Sequence, residues 1–403
     1  MLPGNSFRWL LTAVVLCLIF PVASAQQFPE FVQFKSEGVQ ISFTLRKDFL
    51  PAISHMSLDV FTPDIKKVHQ QVVTADQSLV WQVKQMSRYT EGNTELYLCA
   101  VTLKPVNGEP FILPGRIMQV GKKLEFQLLQ ERPSNLSGPT PVEFHKALTE
   151  AMPNNGSAWF FYALAICDSH RDEFGIPAIS IAPPPPPPPA LPSSAQVKEI
   201  RLTQEEQNRI AEEDKQWKAK KAAFQKDLKI AQPAFLKAQE LADDCLIKDT
   251  AMAYLAAAAG EFDDEQQRTQ WLLKRAESHC AINFAKAESY FALAVNHWQC
   301  AYTLTEKYAK PKLKDSDPFH FRAIADPADK QQFDKCLADG LGYLEKALAA
   351  DPYYPDAMFY KSLMYRERQK TTPNLAERKK VDLEANKIKE RGMELMKQRE
   401  QRR

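Results

Sequence analysis

Residues 181–194 read Ile-Ala-Pro-Pro-Pro-Pro-Pro-Pro-Pro-Ala-Leu-Pro-Ser-Ser, with seven consecutive prolines from Pro183 to Pro189. A proline ring locks φ and removes the backbone donor, so such a run can join neither helix nor sheet. It adopts an extended polyproline II rod of about 3.1 Å per residue and acts as a stiff spacer. Composition changes across it. Nine of the 13 glycines and 21 of the 28 prolines precede residue 200. The remainder is rich in Ala, Lys, Glu, Gln and Leu, which favour helix. The expectation is an α+β multidomain chain: a β-rich, sandwich-like domain over 26–180, a proline-rich linker over 181–200 and an all-α domain over 201–403.

Working back from the prolines, period-two patterns dominate. Val39, Ile41, Phe43 and Leu45 alternate with Gln40, Ser42 and Thr44, and Leu58 and Val60 flank Asp59. Leu96, Leu98 and Ala100 share one side of a third run, and Leu124, Phe126 and Leu128 share one side of a fourth. Gly92-Asn93, Asn107-Gly108 and Gly121 supply turns between them. Residues 141–152 read as a short helix. Residues 159–167 are apolar on both faces and read as a buried central strand in preference to a helix.

The first 25 residues carry an address. Arg8 is followed by an apolar stretch from Trp9 to Val22 and by Ala23-Ser24-Ala25. These are the parts of a cleaved secretory signal. Export to a periplasmic or secreted location follows, with no membrane span left after cleavage. Six cysteines then remain: Cys99, Cys167, Cys245, Cys280, Cys300 and Cys336. In an oxidising compartment an even count favours disulfides. If Cys280 and Cys300 share one long helix, twenty residues hold them about 30 Å apart, too far to bond. The expected pairs are Cys99–Cys167, Cys245–Cys280 and Cys300–Cys336, with buried thiols as the alternative.

Beyond the prolines the reading is helical. Thr203 and Glu206 form a capping box. Ile210, Trp217, Phe224 and Leu228 mark one apolar stripe on a charged helix, which Pro233 kinks or ends. Asp249-Thr250 reads as the next cap, Asp263-Asp264-Glu265 opens another helix, and residues 283–309 form a long amphipathic one. Residues 340–352 (Gly-Leu-Gly-Tyr-Leu-Glu-Lys-Ala-Leu-Ala-Ala-Asp-Pro) close one helix, and residues 353–365 (Tyr-Tyr-Pro-Asp-Ala-Met-Phe-Tyr-Lys-Ser-Leu-Met-Tyr) open another. This junction resembles that between two tetratricopeptide repeats. Gly340, Leu344, Ala347 and Pro352 stand at the family's fixed offsets, and Met358, Ser362 and Tyr365 stand at those of the following helix. Lys361 departs from the pattern, occupying a place usually held by leucine. The resemblance implies stacked helix pairs that offer a groove to a peptide or protein. It makes Tyr353, Tyr354, Phe359 and Tyr360 candidate contact residues.

Lys plus Arg total 52 and Asp plus Glu 50, so a broadly basic nucleic-acid binder is excluded. No catalytic motif stands out, and neither a metal nor a cofactor is expected. The segment Asp168-Ser-His170-Arg-Asp172-Glu173 reads as a solvated turn. The two pairs His279-Cys280 and His297/Cys300 lack the spacing of a structural zinc site. Residues 366–403 carry 13 bases against seven acids and read as a capping helix. The expectation is a non-enzymatic, exported interaction protein of the cell envelope. Its rival is a hydrolase or carbohydrate-active protein with paired carboxylates in the β-rich half.

Overall fold

The computed structural model describes residues 31–62, 66–83, 93–120, 123–128, 139–168, 204–309, 321 and 323–401. The signal segment, the proline linker, Thr203 and the turn after Asp168 lie outside the described residues. Two compact units are present: Phe28–Ile176 with Lys226–Ala251, and Pro177–Gln225 with Met252–Arg403.

The first unit carries eight strands among the described residues. β1 (Val32–Glu37), β2 (Gln40–Leu45) and β5 (Leu79–Gln82) form an antiparallel sheet in the order β1-β2-β5. β3 (Ile53–Phe61), β4 (Lys67–Thr74), β6 (Asn93–Pro105), β7 (Phe111–Val120) and β8 (Lys123–Leu128) form a second, in the order β4-β3-β6-β7-β8. The β1–β2 hairpin turns at Gly38, whose φ of 58° is left-handed and favours glycine. The expected alternation holds on β2, where Ile41, Phe43 and Leu45 are buried, and on β3, where Leu58 and Val60 are, but Val39 falls in the hairpin turn before β2 and is exposed. On β6 the core side is Tyr97, Cys99, Val101 and Leu103, opposite to the face that carries Leu98 and Ala100. Rings join the two sheets: Phe126 of β8 lies 5.9 Å from Phe34 and 5.1 Å from Phe43.

Helix α1 (Pro141–Ala151) opens with a capping box between Thr140 and Glu143. Residues 159–167 are not a strand. They belong to helix α2 (Gly156–Asp168), started by Asn155, whose side-chain oxygen accepts from the Ala158 amide at 3.1 Å. Phe160, Phe161, Ala163, Ile166 and Cys167 are buried, so periodicity could not separate the two readings. Pro233 does not end helix α3 (Gln204–Leu241), which continues beyond it to Leu241. An interior proline costs about 3 kcal/mol, and burial of Ala231, Ala234, Phe235 and Ala238 on the same stretch offsets that cost. Gly156 sits so close to the backbone of Ala242 that no β-carbon fits. Phe160 and Phe235 are 6.0 Å apart, and Lys237 lies 3.8 Å over the ring of Trp159. Helix α4 (Cys245–Glu261) starts at Asp244, which accepts from the Leu246 amide at 2.7 Å, and not at Asp249-Thr250. Thr250 sits inside the helix and donates back to the Leu246 carbonyl.

The second unit is built from packed helices. α5 (Glu265–Glu277) is capped by Asp264 and followed by α6 (Asn283–Lys307), α7 (Pro327–Ala350), α8 (Pro355–Thr371) and α9 (Leu375–Gln401). Consecutive helices pack as pairs, α6 with α7 and α8 with α9, while α8 also lies against α6 and α7. Phe291, Trp298, Phe333, Leu344, Tyr360 and Met364 share one core. Gly340 lets α7 approach closely: a β-carbon there would collide with Met364 Cε and stand 3.0 Å from the Cβ of His297. Arg275 of α5 is fully buried and donates to Glu288 of α6 at 2.7 Å.

Candidate functional site

The expected contact residues divide. Tyr354 and Tyr360 are core: Phe291 lies 5.4 Å from one ring and 5.1 Å from the other, and Trp298 lies 5.4 Å from Tyr360. Burial pushes the Tyr360 phenol up, as expected of a hydroxyl withdrawn from water. Phe359 is half-buried, facing Gly392 of α9. Tyr353 alone of the four is well exposed, at 50%. Of the residues at the repeat offsets, Gly340, Leu344 and Ala347 are buried, and Ser362 donates to the Ala385 carbonyl at 2.8 Å. Met358 and Tyr365 are only half-buried and Pro352 is exposed, so Met364 takes the core place expected of Tyr365.

A different aromatic cluster spans α5, α6 and α7. Tyr290 and His297 are seven residues apart on α6 and therefore share a face. Tyr343 of α7 stacks on both, at 6.3 Å from Tyr290 and 5.5 Å from His297. Lys346 lies one turn beyond Tyr343 and reaches over both phenols, 5.5 Å from Tyr290 and 5.4 Å from Tyr343. Trp271 of α5 packs on the same apolar cluster as Tyr290 and Tyr343, with Lys274 4.7 Å over its ring. All four rings are half-buried, each with one part on the core and another open to solvent. Burial, with help from Glu277 and Tyr343, pushes the Tyr290 phenol up. Burial also lowers His297 despite nearby Asp339, which favours the neutral imidazole. This arrangement holds flat π-faces and ammonium groups in one strip. The sequence signal was the aromatic residue three before a lysine, at Trp271/Lys274 and again at Tyr343/Lys346.

The strand-bearing unit has a cleft of about 840 Å³, lined in part by Arg46, Lys47, Asp48, Asn155, Asp243 and Asp244. Arg46 is one of its charged lining residues. It donates to both oxygens of Asp48, at 3.1 and 3.3 Å, and to Asp244 at 2.7 Å. Asn155 spends its side-chain NH₂ on the Asp48 carbonyl at 2.8 Å. Burial alone would raise Asp244, but hydrogen bonds from Arg46 and the Leu246 amide outweigh it and hold the carboxyl below its usual range.

Cys300 and Cys336 form a disulfide, with Cα atoms 6.2 Å apart, that ties α6 to α7. Cys245 and Cys280 are disulfide-bonded as well. The expected Cys99–Cys167 bond is absent, since both side chains are buried thiols, one on β6 and the other on α2. Burial pushes the Cys99 thiol up to about 12, which keeps it protonated and unreactive. His297 packs on Tyr343 while Cys300 is in its disulfide, so these two do not act together as metal ligands. No described helix is long and apolar enough to cross a membrane. No protein-family model, curated protein or solved structure matches this chain.

Proposed function

We propose that this chain is an exported, non-enzymatic interaction protein of the cell envelope that binds a peptide or protein segment on its helical unit. The observation that carries this reading is the Tyr290–Tyr343–His297 stack beneath Lys346. Half-buried rings offer apolar area at little entropic cost, and the ammonium group adds direction for a carboxylate. The ligand would place apolar or proline side chains on the rings and an acidic group near Lys346. We read the paired helices as tetratricopeptide-like, because Gly340, Leu344, Ala347 and Ser362 are buried where helices approach each other. We read the strand-bearing unit as sandwich-like. Export rests on the signal-like first 25 residues, and the disulfides are compatible with it.

The hydrolase reading is weaker. A general acid needs a carboxyl held protonated near neutrality, whereas Arg46 holds Asp244 in the opposite direction.

The test is capture from the envelope fraction with the purified mature chain and with Tyr343→Ser and Lys346→Glu. Both variants should keep a cooperative melting transition and lose the captured protein. Retention of the same partner by both would remove the strip from consideration.

A further inference from the structure

We propose that the first part of α3 is a self-association surface, on which a second copy of this chain docks antiparallel across Trp217. The apolar stripe of α3 is longer than its cover. Phe224 and Leu228 are buried, and the helix is tied there to the end of α4: Gln225 donates to the Glu261 carbonyl at 2.8 Å, and Lys221 stands 3.5 Å from the Glu261 carboxylate. Upstream of that tie, residues 211–220 are exposed all round. Trp217 lies on the same stripe and is 51% exposed, with Lys221 5.4 Å over its ring. An indole left on an otherwise charged helix is an anchor without a pocket.

Charge selects the occupant. Residues 204–214 carry five acids (Glu205, Glu206, Glu212, Glu213, Asp214) and one base, Arg209. Residues 215–221 carry four bases (Lys215, Lys218, Lys220, Lys221) and no acid. The two blocks are −4 and +4, so the segment complements itself when reversed and repels itself when parallel. A two-fold axis beside Trp217 stacks the two indoles. It sets Glu213 and Asp214 of one copy opposite Lys220 and Lys221 of the other. Such an isologous pairing is the commonest route to a homodimer. Lys218–Asp214, Arg209–Glu213 and Lys221–Glu261 are among the ion pairs that would be exchanged; all three are exposed and of small worth. Two short helical faces make a small interface, so the dimer is weak, on the order of micromolar to tens of micromolar.

Sedimentation equilibrium of the full mature chain, from low micromolar to several hundred micromolar, tests this. The expected result is a reversible dimer with a Trp217 emission shift that follows dimerisation. Trp217→Ala should weaken it at least about tenfold, as should the double reversal Glu213→Lys/Asp214→Lys. Mixing that reversal with Lys220→Glu/Lys221→Glu should restore dimer between the two variants, each of which self-associates at least about tenfold more weakly than wild type. A wild-type chain monomeric throughout overturns the proposal, and blue-shifted Trp217 emission in that monomer would mean that the chain covers its own stripe. A dimer that Trp217→Ala leaves unchanged overturns it as well.

Discussion

Gly340 has no side chain because α6 and α8 leave no room for one. A β-carbon there meets a movable atom, Met364 Cε, and an immovable one, the Cβ of His297. Gly340→Val should therefore cost about 1–3 kcal/mol by overpacking, read from urea unfolding. Adding Met364→Ala should return only part of the loss. His145 is a second such residue. It is buried among the rings of Phe31, Phe144 and Phe161, and burial lowers it to about 3. The folded chain thus keeps this imidazole neutral, while the unfolded chain binds a proton below about 6.5. Its contribution to stability is complete above that value and is lost as pH falls toward 3. Between pH 7 and pH 5 the loss from this group is about 2 kcal/mol. His145→Phe should flatten that slope, and an unchanged pH dependence would show that His145 is not its source. Arg275 is the third. Arg275→Ala leaves Glu288 with an uncompensated charge and should cost about 3–5 kcal/mol, whereas Arg275→Met with Glu288→Leu should recover most of it.

At the scale of elements, caps decided more than periodicity did. Asn155 starts α2 and Asp244 starts α4, each through an oxygen accepting from the amides of the first turn. Residues 159–167 carry no facial pattern because α2 is buried on most sides, and a segment without a wet face hides its period. Pro233 is the reverse case: a strong local signal is overruled because Phe235 and its neighbours bury enough surface to hold the helix together. The Cys300–Cys336 bond links α6 to α7 across 36 residues of chain. Replacing both with alanine should lower the stability of the helical unit by about 2–4 kcal/mol. Thermal unfolding of this variant against wild type, both without reductant, reads the worth of this bond alone.

At the scale of the molecule, part of the helical sequence groups with the strands. Residues Lys226–Ala251 lie in the same unit as the strands. They supply Asp244 to Arg46, Phe235 to Phe160 and Lys237 to Trp159. A fragment of residues 26–180 therefore leaves Phe160 and Arg46 without these partners. It should bind hydrophobic dye and melt without cooperativity, while a fragment ending at residue 261 should melt cooperatively. A sharp transition from the shorter fragment would contradict this division.

Much of this molecule is local. Alternation made Ile41, Phe43, Leu58 and Val60 a core face, helix formers made the second half helical, and small residues at Gly340 and Ser362 marked where helices meet. Those readings need only neighbours within a few residues. The tertiary structure decided which tyrosines are buried, that Tyr343 meets Tyr290 and His297, that Cys99 and Cys167 remain thiols, and that part of α3 belongs with the strands. Each of these depends on contacts between residues distant in the chain, whose energies come from packing and desolvation and leave no periodic trace along the sequence.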